Sequence, residues 1–185
     1  MKKTLYIKNM VCNRCKATVK RELDALGYNI VSLKLGQVVF NESMPKDNSK
    51  LEENLKKHGF EIIKDETEVL IEEIKIALIK KIENQDNLNI SSYLSKNFNK
   101  SYSALSKLFS KTEGMTIEKY EINLKIEKVK EYMQLGELNF SEIAYNLNYA
   151  SSSHLARQFK NITGMSMTEY KNLQQWERKT LDQIV

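Results

Sequence analysis

The chain has 185 residues, with 29 Lys+Arg against 24 Asp+Glu (net charge +5) and 41% hydrophobic residues, room for one medium domain or two small ones of ordinary soluble composition. No apolar run approaches the ~20 residues of a membrane span, and Lys8 and Asn9 interrupt any leader after Met1-Lys2-Lys3-Thr4. Two cysteines three apart cannot build a disulfide framework, so cytoplasmic metal or thiol chemistry is expected of them. Divided at residue 68, the first part holds 13 Lys+Arg against 10 Asp+Glu (+3) and the rest 16 against 14 (+2). Neither part is strongly basic, so any affinity for phosphate must come from local placement of charge.

In chain order, Leu5 and Ile7 alternate with Tyr6 and Lys8 as in a strand. Val19, Leu23 and Leu26 recur at helical spacing up to Gly27. Val31, Leu33 and Leu35 alternate again, and Gly36-Gln37 reads as a turn into Val38-Val39-Phe40. Pro45 punctuates the chain. Ser49-Lys50-Leu51-Glu52 reads as a capping box opening a helix that faces Leu51 and Leu55 inward and ends at Gly59, before a last strand with Phe60 and Ile62. The order β-α-β-β-α-β predicts a small α+β, ferredoxin-like domain with both helices on one face of the sheet.

Cys12 and Cys15 fall in the loop between the first strand and the first helix. At a helix N-terminus, flanked by Arg14 and Lys16, Cys15 is expected to have a lowered thiol pKa. Two thiolates two residues apart can pinch one ion. Two sulfurs suffice for Cu(I), whereas Zn(II) favours four ligands, and no Asp or Glu flanks the pair; Cu(I) is the favoured metal, with Ag(I) or Zn(II) as alternatives. A redox dithiol also fits the bare motif. Met10, Cys12 and Cys15 in this topology resemble the heavy-metal-associated domain of copper chaperones and metal-pumping ATPases, over about residues 1–66. Asn9 stands where that family usually has Gly, and Val11 where it has Thr. The resemblance implies that Met10 is a buried prop under the loop, that Cys12 and Cys15 are the metal ligands, and that Phe60 approaches the metal. His58 lies nearby in sequence, where a capping or surface role at the helix end is the plainer reading.

Residues 64–68 form a polar joint without Gly or Pro, able to continue into the next helix. From Val69 to Glu83, Leu70, Ile71, Ile74, Ala77, Leu78 and Ile82 make the broad stripe of a helix buried on one side. After a polar break at 86–89, Ile90 and Leu94 fit a short helix, Asn97 to Ser101 a turn, and Leu105, Leu108 and Phe109 a second helix stopped by Gly114. Tyr120, Leu124, Ile126, Val129 and Met133 lie on a helix ending near Gly136, followed by a short helix capped by Ser141. From Ser151 a further helix carries Leu155 and Phe159 on one face, with His154, Arg157 and Gln158 free to point outward, up to Gly164. Leu105, Phe109, Gly114, Met115 and Tyr120 recur 50 residues later as Leu155, Phe159, Gly164, Met165 and Tyr170, an internal repeat.

Two helix-turn-helix units joined by a long helix, with Phe159, Lys160, Gly164 and Tyr170 at the C-terminal end, resemble the AraC-type DNA-binding domain over roughly residues 70–172. Asn148-Tyr149 stands where that family has a Gly-Phe pair, and Lys171 where it has Arg. The resemblance implies an all-α tandem helix-turn-helix domain whose second helices enter successive major grooves of double-stranded DNA. The outward residues carried over are Ser103, Ser106 and Lys107 in the first unit and Ser152, Ser153 and Arg157 in the second, with Lys111 and Lys160 as phosphate contacts. Arg157 is the favoured base reader, since Arg bonds guanine through two acceptors. The short serines leave room for readout through DNA shape or water.

Joined, the halves predict two domains, 1–66 and 67–185, in a metal-responsive transcription regulator, with DNA and a metal-donor protein as partners and no membrane. A copper-handling or thiol-redox protein with a helical scaffold is the alternative. An enzyme is not expected, as there is no Gly-rich phosphate loop and no nucleophile paired with a base.

Overall fold

A computed structural model describes residues 3–41, 48–173, 178–179 and 181–184; Pro45 lies outside them. The chain forms two compact units, 1–77 and 78–185. Among the described residues, no helix is long and apolar enough to cross a membrane.

The first unit runs β1 (Lys3–Lys8), α1 (Asn13–Ala25), β2 (Ile30–Lys34), β3 (Gln37–Phe40), α2 (Ser49–Lys57) and β4 (Glu61–Ile63). The strands form one antiparallel sheet in the order β2-β3-β1-β4. Alternation in β1 sends Leu5 and Ile7 into a core with Val19 and Leu23 of α1, Val38 and Phe40 of β3, and Leu51 and Leu55 of α2. In β2 the alternation does not hold as expected. Ile30 pairs with Phe40 and Ser32 with Val39, so Val31 is the extra residue of a bulge and turns outward, 44% exposed. The turn between β2 and β3 is Leu35-Gly36, since Lys34 already pairs with Gln37; Gly36 has φ +70°, which glycine adopts without a Cβ clash.

The start of α2 also differs. Asn48, not Ser49, occupies the N-cap, and its side chain makes no cap hydrogen bond; its Oδ1 accepts from the Tyr28 hydroxyl at 3.3 Å. The polar joint does continue into helix. Asp65 Oδ1 accepts from the Thr67 and Glu68 N–H groups at 2.9 and 3.0 Å, starting α3 (Glu66–Glu83). The division between the two units falls inside α3, at Ala77/Leu78.

The second unit continues with α4 (Ile90–Phe98), α5 (Tyr102–Glu113), α6 (Ile117–Leu135), α7 (Phe140–Asn146), α8 (Ser152–Thr163) and α9 (Met167–Lys171). Tyr120, Leu124, Ile126, Val129 and Met133 of α6 are all buried. Ile126, Val129 and Met133 share a core with Ile143 of α7, Leu155 and Phe159 of α8, and Met167 and Tyr170 of α9. The cap of α7 is Asn139, not Ser141. The Asn139 side chain accepts from the Ser141 and Glu142 N–H groups, and the Glu142 carboxylate accepts from the Asn139 N–H at 2.7 Å, a complete capping box.

Candidate nucleic-acid interface and thiol pair

The 50-residue repeat is a repeat of structure. Asn89 and Asn139 cap the first helices, and Ser101 and Ser151 cap the second, each accepting from the N–H three residues on. The second helices, α5 and α8, have 12 residues each and end at Gly114 and Gly164, both left-handed. Thr116 and Ser166 then cap α6 and α9. Leu105 and Leu155 are buried, and so are the aromatic pairs Phe109–Tyr120 and Phe159–Tyr170, with ring centroids 5.6 and 5.4 Å apart. The buried residues shared by the two copies are those that hold each second helix against its neighbours.

The departure at Asn148-Tyr149 has a physical basis. Asn148 has φ +58°, a left-handed conformation that Asn tolerates better than other residues bearing a Cβ. Tyr149 packs against the core, and its hydroxyl donates to Gln158 Oε1, so Gln158 is held and only half-exposed. Burial and the Glu121 charge push the Tyr149 phenol well above its usual range. The Tyr149 ring also meets His154 edge-on, and Lys125 lies over it.

Of the expected DNA contacts, Ser103, Lys107 and Lys111 on α5 and Ser153, Arg157 and Lys160 on α8 are exposed, whereas Ser106 and Ser152 are half-exposed. Lys107 and Arg157 have no hydrogen bond or ion pair among the described residues, which leaves both cations available to a ligand. The head of α5 carries a feature that helical periodicity does not reveal. The Tyr102 hydroxyl donates to the Glu118 carboxylate. Burial and that bond push the phenol up, and the same bond holds Glu118 below the usual carboxylate range. In the second copy, Ser152 and Thr168 occupy these positions, so the two units present different chemistry at the start of their second helices.

The thiol pair sits at the head of α1. Cys12 is the N-cap, its sulfur accepting from the Cys15 N–H at 3.4 Å, and the two sulfurs are 3.1 Å apart. Both cysteines are free thiols and half-exposed. The expected lowering of the Cys15 pKa is overturned: burial pushes the thiol up, and the hydrogen bond with Cys12 adds to it, outweighing the backbone N–H groups at the helix start. Met10 is fully buried and Phe60 nearly so; both belong to the core of the first unit, against which Cys15 packs. His58 is 3.3 Å from Glu22 of α1. Among the described residues, no group of three or more His, Cys, Asp or Glu side chains is gathered as for a metal ion.

Residues 94–173 match a family model described as a helix-turn-helix domain; the match runs from Leu94 inside α4 to Leu173 just past α9 and so takes in both units of the repeat. A search of curated proteins found no match to the chain. Over residues 94–173 the chain is thus similar to helix-turn-helix domains of the AraC type, which supports a DNA-binding role for the second unit.

Proposed function

We propose that this protein is a soft-metal-responsive transcription regulator that reads double-stranded DNA with both α5 and α8. The observation that carries the DNA half is the doubled helix-turn-helix frame with the cations of Lys107 and Arg157 exposed and uncommitted at equivalent positions. Arg157 reads a guanine with two of its guanidinium N–H donors on O6 and N7, Lys107 takes the same place in the neighbouring groove, and Lys111 and Lys160 meet phosphates. Ser103, Ser106, Ser152 and Ser153 are small enough to admit water or to follow groove shape.

The metal half rests on the first unit. Its antiparallel sheet in the order β2-β3-β1-β4 with two helices supports the ferredoxin-like, heavy-metal-associated reading. Cys12 and Cys15 supply two adjacent soft donors at a half-buried loop propped by Met10, which suits Cu(I), or Ag(I) as its mimic, better than Zn(II). Cys12 and Cys15 would hold a soft ion as thiolates, which would replace two neutral thiols by charged donors at the loop. A metal-donor protein is the natural source of such an ion. The 3.1 Å sulfur contact equally favours a second reading, a dithiol that closes to a disulfide on oxidation. Measuring Cu(I) affinity against the dithiol reduction potential separates the two.

The test is anaerobic capture of genomic DNA by the purified protein, metal-free and with one equivalent of Cu(I), beside the C12S/C15S variant. Fragments enriched in a Cu(I)-dependent way only when the cysteines are present support both halves. Enrichment indifferent to metal leaves a regulator without a copper switch, and no enrichment in any state overturns DNA binding.

A further inference from the structure

We propose that Glu72 of α3 senses the state of the thiol loop and passes it along that helix. The inference rests on the metal-responsive reading above and names its first contact. The loop between β1 and α1 is short and tightly held. Asn9 is left-handed, φ +67°, and its carbonyl accepts from the Val11 N–H at 3.1 Å, so Asn9, Met10 and Val11 form a compact turn ending at Cys12. The Asn9 side chain donates to the Gly59 carbonyl at 2.9 Å, which ties the turn to the end of α2. The Gly36 N–H donates to the Met10 carbonyl at 3.1 Å, which ties the turn to the β2–β3 hairpin.

The backbone N–H of Asn9 donates to a carboxylate of α3, Glu72 Oε1, at 2.9 Å. Glu72 is 4% exposed and the bond to Asn9 is part-buried, so leaving this N–H without its acceptor would be felt. A second point of α3 lies against the same region: a Cβ at Gly36 would come within 2.5 Å of Ile76 Cδ1. The turn leading to Cys12 is thus tied to α3 through Glu72, and the hairpin that binds the turn packs on Ile76. Sulfurs 3.1 Å apart are in thiol contact, and thiolates at that distance repel; holding an ion between them requires them to part. Any shift of Cys12 acts on a turn whose N–H is anchored on α3.

The helix itself provides the continuation. It runs unbroken from Glu66 to Glu83, past the division at Ala77/Leu78. In the second unit, the buried Lys81 of the same helix donates to the Asp86 carbonyl at 2.8 Å and lies 3.8 Å from Glu121 of α6, the helix between the two helix-turn-helix units. Glu72 is a positioning residue, not a metal ligand.

The test uses the full chain under anaerobic conditions with one equivalent of Cu(I), read by ¹H–¹⁵N spectra and amide hydrogen exchange. In the wild type, Cu(I) shifts the amide of Asn9 and those of α3, and Asn9 exchange quickens at least tenfold. Glu72→Ala confines the shifts to the loop, while Glu72→Gln, which keeps an acceptor oxygen, restores the response of α3. On a selected operator, the ratio of affinities with and without Cu(I), on the order of 5-fold or more in the wild type, falls to about 1 in Glu72→Ala. Cu(I) bound at the loop with Asn9 exchange unchanged, or α3 responding equally in Glu72→Ala, overturns the role of Glu72 and leaves metal binding intact. Absence of Cu(I) uptake by the wild type, seen in the metal-to-protein ratio, overturns the metal-responsive reading and this inference with it.

Discussion

Replacing Arg157 by alanine should separate reading DNA from folding. The Arg157 side chain is exposed and has no hydrogen bond or ion pair among the described residues, so its removal should change stability by no more than about 0.5 kcal/mol. A bidentate Arg–guanine contact contributes about 1–3 kcal/mol of discrimination, so affinity for a selected operator should fall by roughly 5–150-fold. Affinity for a scrambled duplex should fall far less, by the share of one cation, with the salt slope reduced by at most about 1. The contrast is Leu155→Ala, two residues away on the buried face. Leu155 is 0% exposed, and its truncation should cost about 2–5 kcal/mol. Fluorescence anisotropy on both duplexes, with thermal unfolding by circular dichroism, reads the pair. Operator binding by R157A at wild-type strength would refute the assignment of the base reader. A melting temperature lowered as far as that of L155A would refute the claim that Arg157 serves nothing in the fold.

Other outcomes follow from single geometries. Asn148→Gly should leave stability near wild type, because the left-handed backbone at φ +58° suits glycine, whereas Asn148→Val should cost about 1–2 kcal/mol; equal melting temperatures would contradict this. Gly36→Ala meets both a positive φ of +70° and a 2.5 Å approach to Ile76 Cδ1, and should lose about 1–3 kcal/mol in urea unfolding. The Cys15 thiol, pushed up by burial and by Cys12, stays protonated at pH 7.5. Its alkylation by iodoacetamide, followed by peptide mass spectrometry, should be slower than that of a peptide cysteine and should rise only above the ordinary thiol range. Reaction as fast as the peptide's would restore the activated thiol. The same shift makes the stability linked to Cys15 present at low pH and lost as pH rises through the folded-state pKa.

Much of the helical unit was legible because its information is local. Leu105, Phe109 and Gly114 and their partners 50 residues on mark faces and ends by spacing alone. Cap positions were harder, since Asn139 and Ser141 are both competent caps; the choice falls to Asn139 because Glu142 completes the box. In the first unit, the outward turn of Val31 is not legible in the sequence, because a bulge depends on the partner strand and leaves no trace in period-two alternation. The sign of the Cys15 shift is hidden from the sequence for a similar reason. The helix start and flanking cations are visible in sequence, but the packing that desolvates the thiol is not. The thiol pair itself was readable from a spacing of three, whereas the Asn9–Glu72 bond joins residues 63 apart. Tyr102 and Glu118 are 16 apart and on different helices, beyond the reach of helical periodicity.

The doubled architecture bears on how such a protein could be redesigned. Because caps, buried leucines, aromatic pairs and terminal glycines recur at a fixed offset of 50, the outward positions form an exchangeable set on a constant frame. Position 103 corresponds to 153 and 107 to 157, exposed in both helices, so on the proposed function the cation and serine of α8 at these positions can be moved onto α5 without touching a core contact or the Tyr102–Glu118 pair. A chain carrying one face twice should select a direct repeat in its DNA, and one with the faces exchanged should select the operator with its two halves in reverse order.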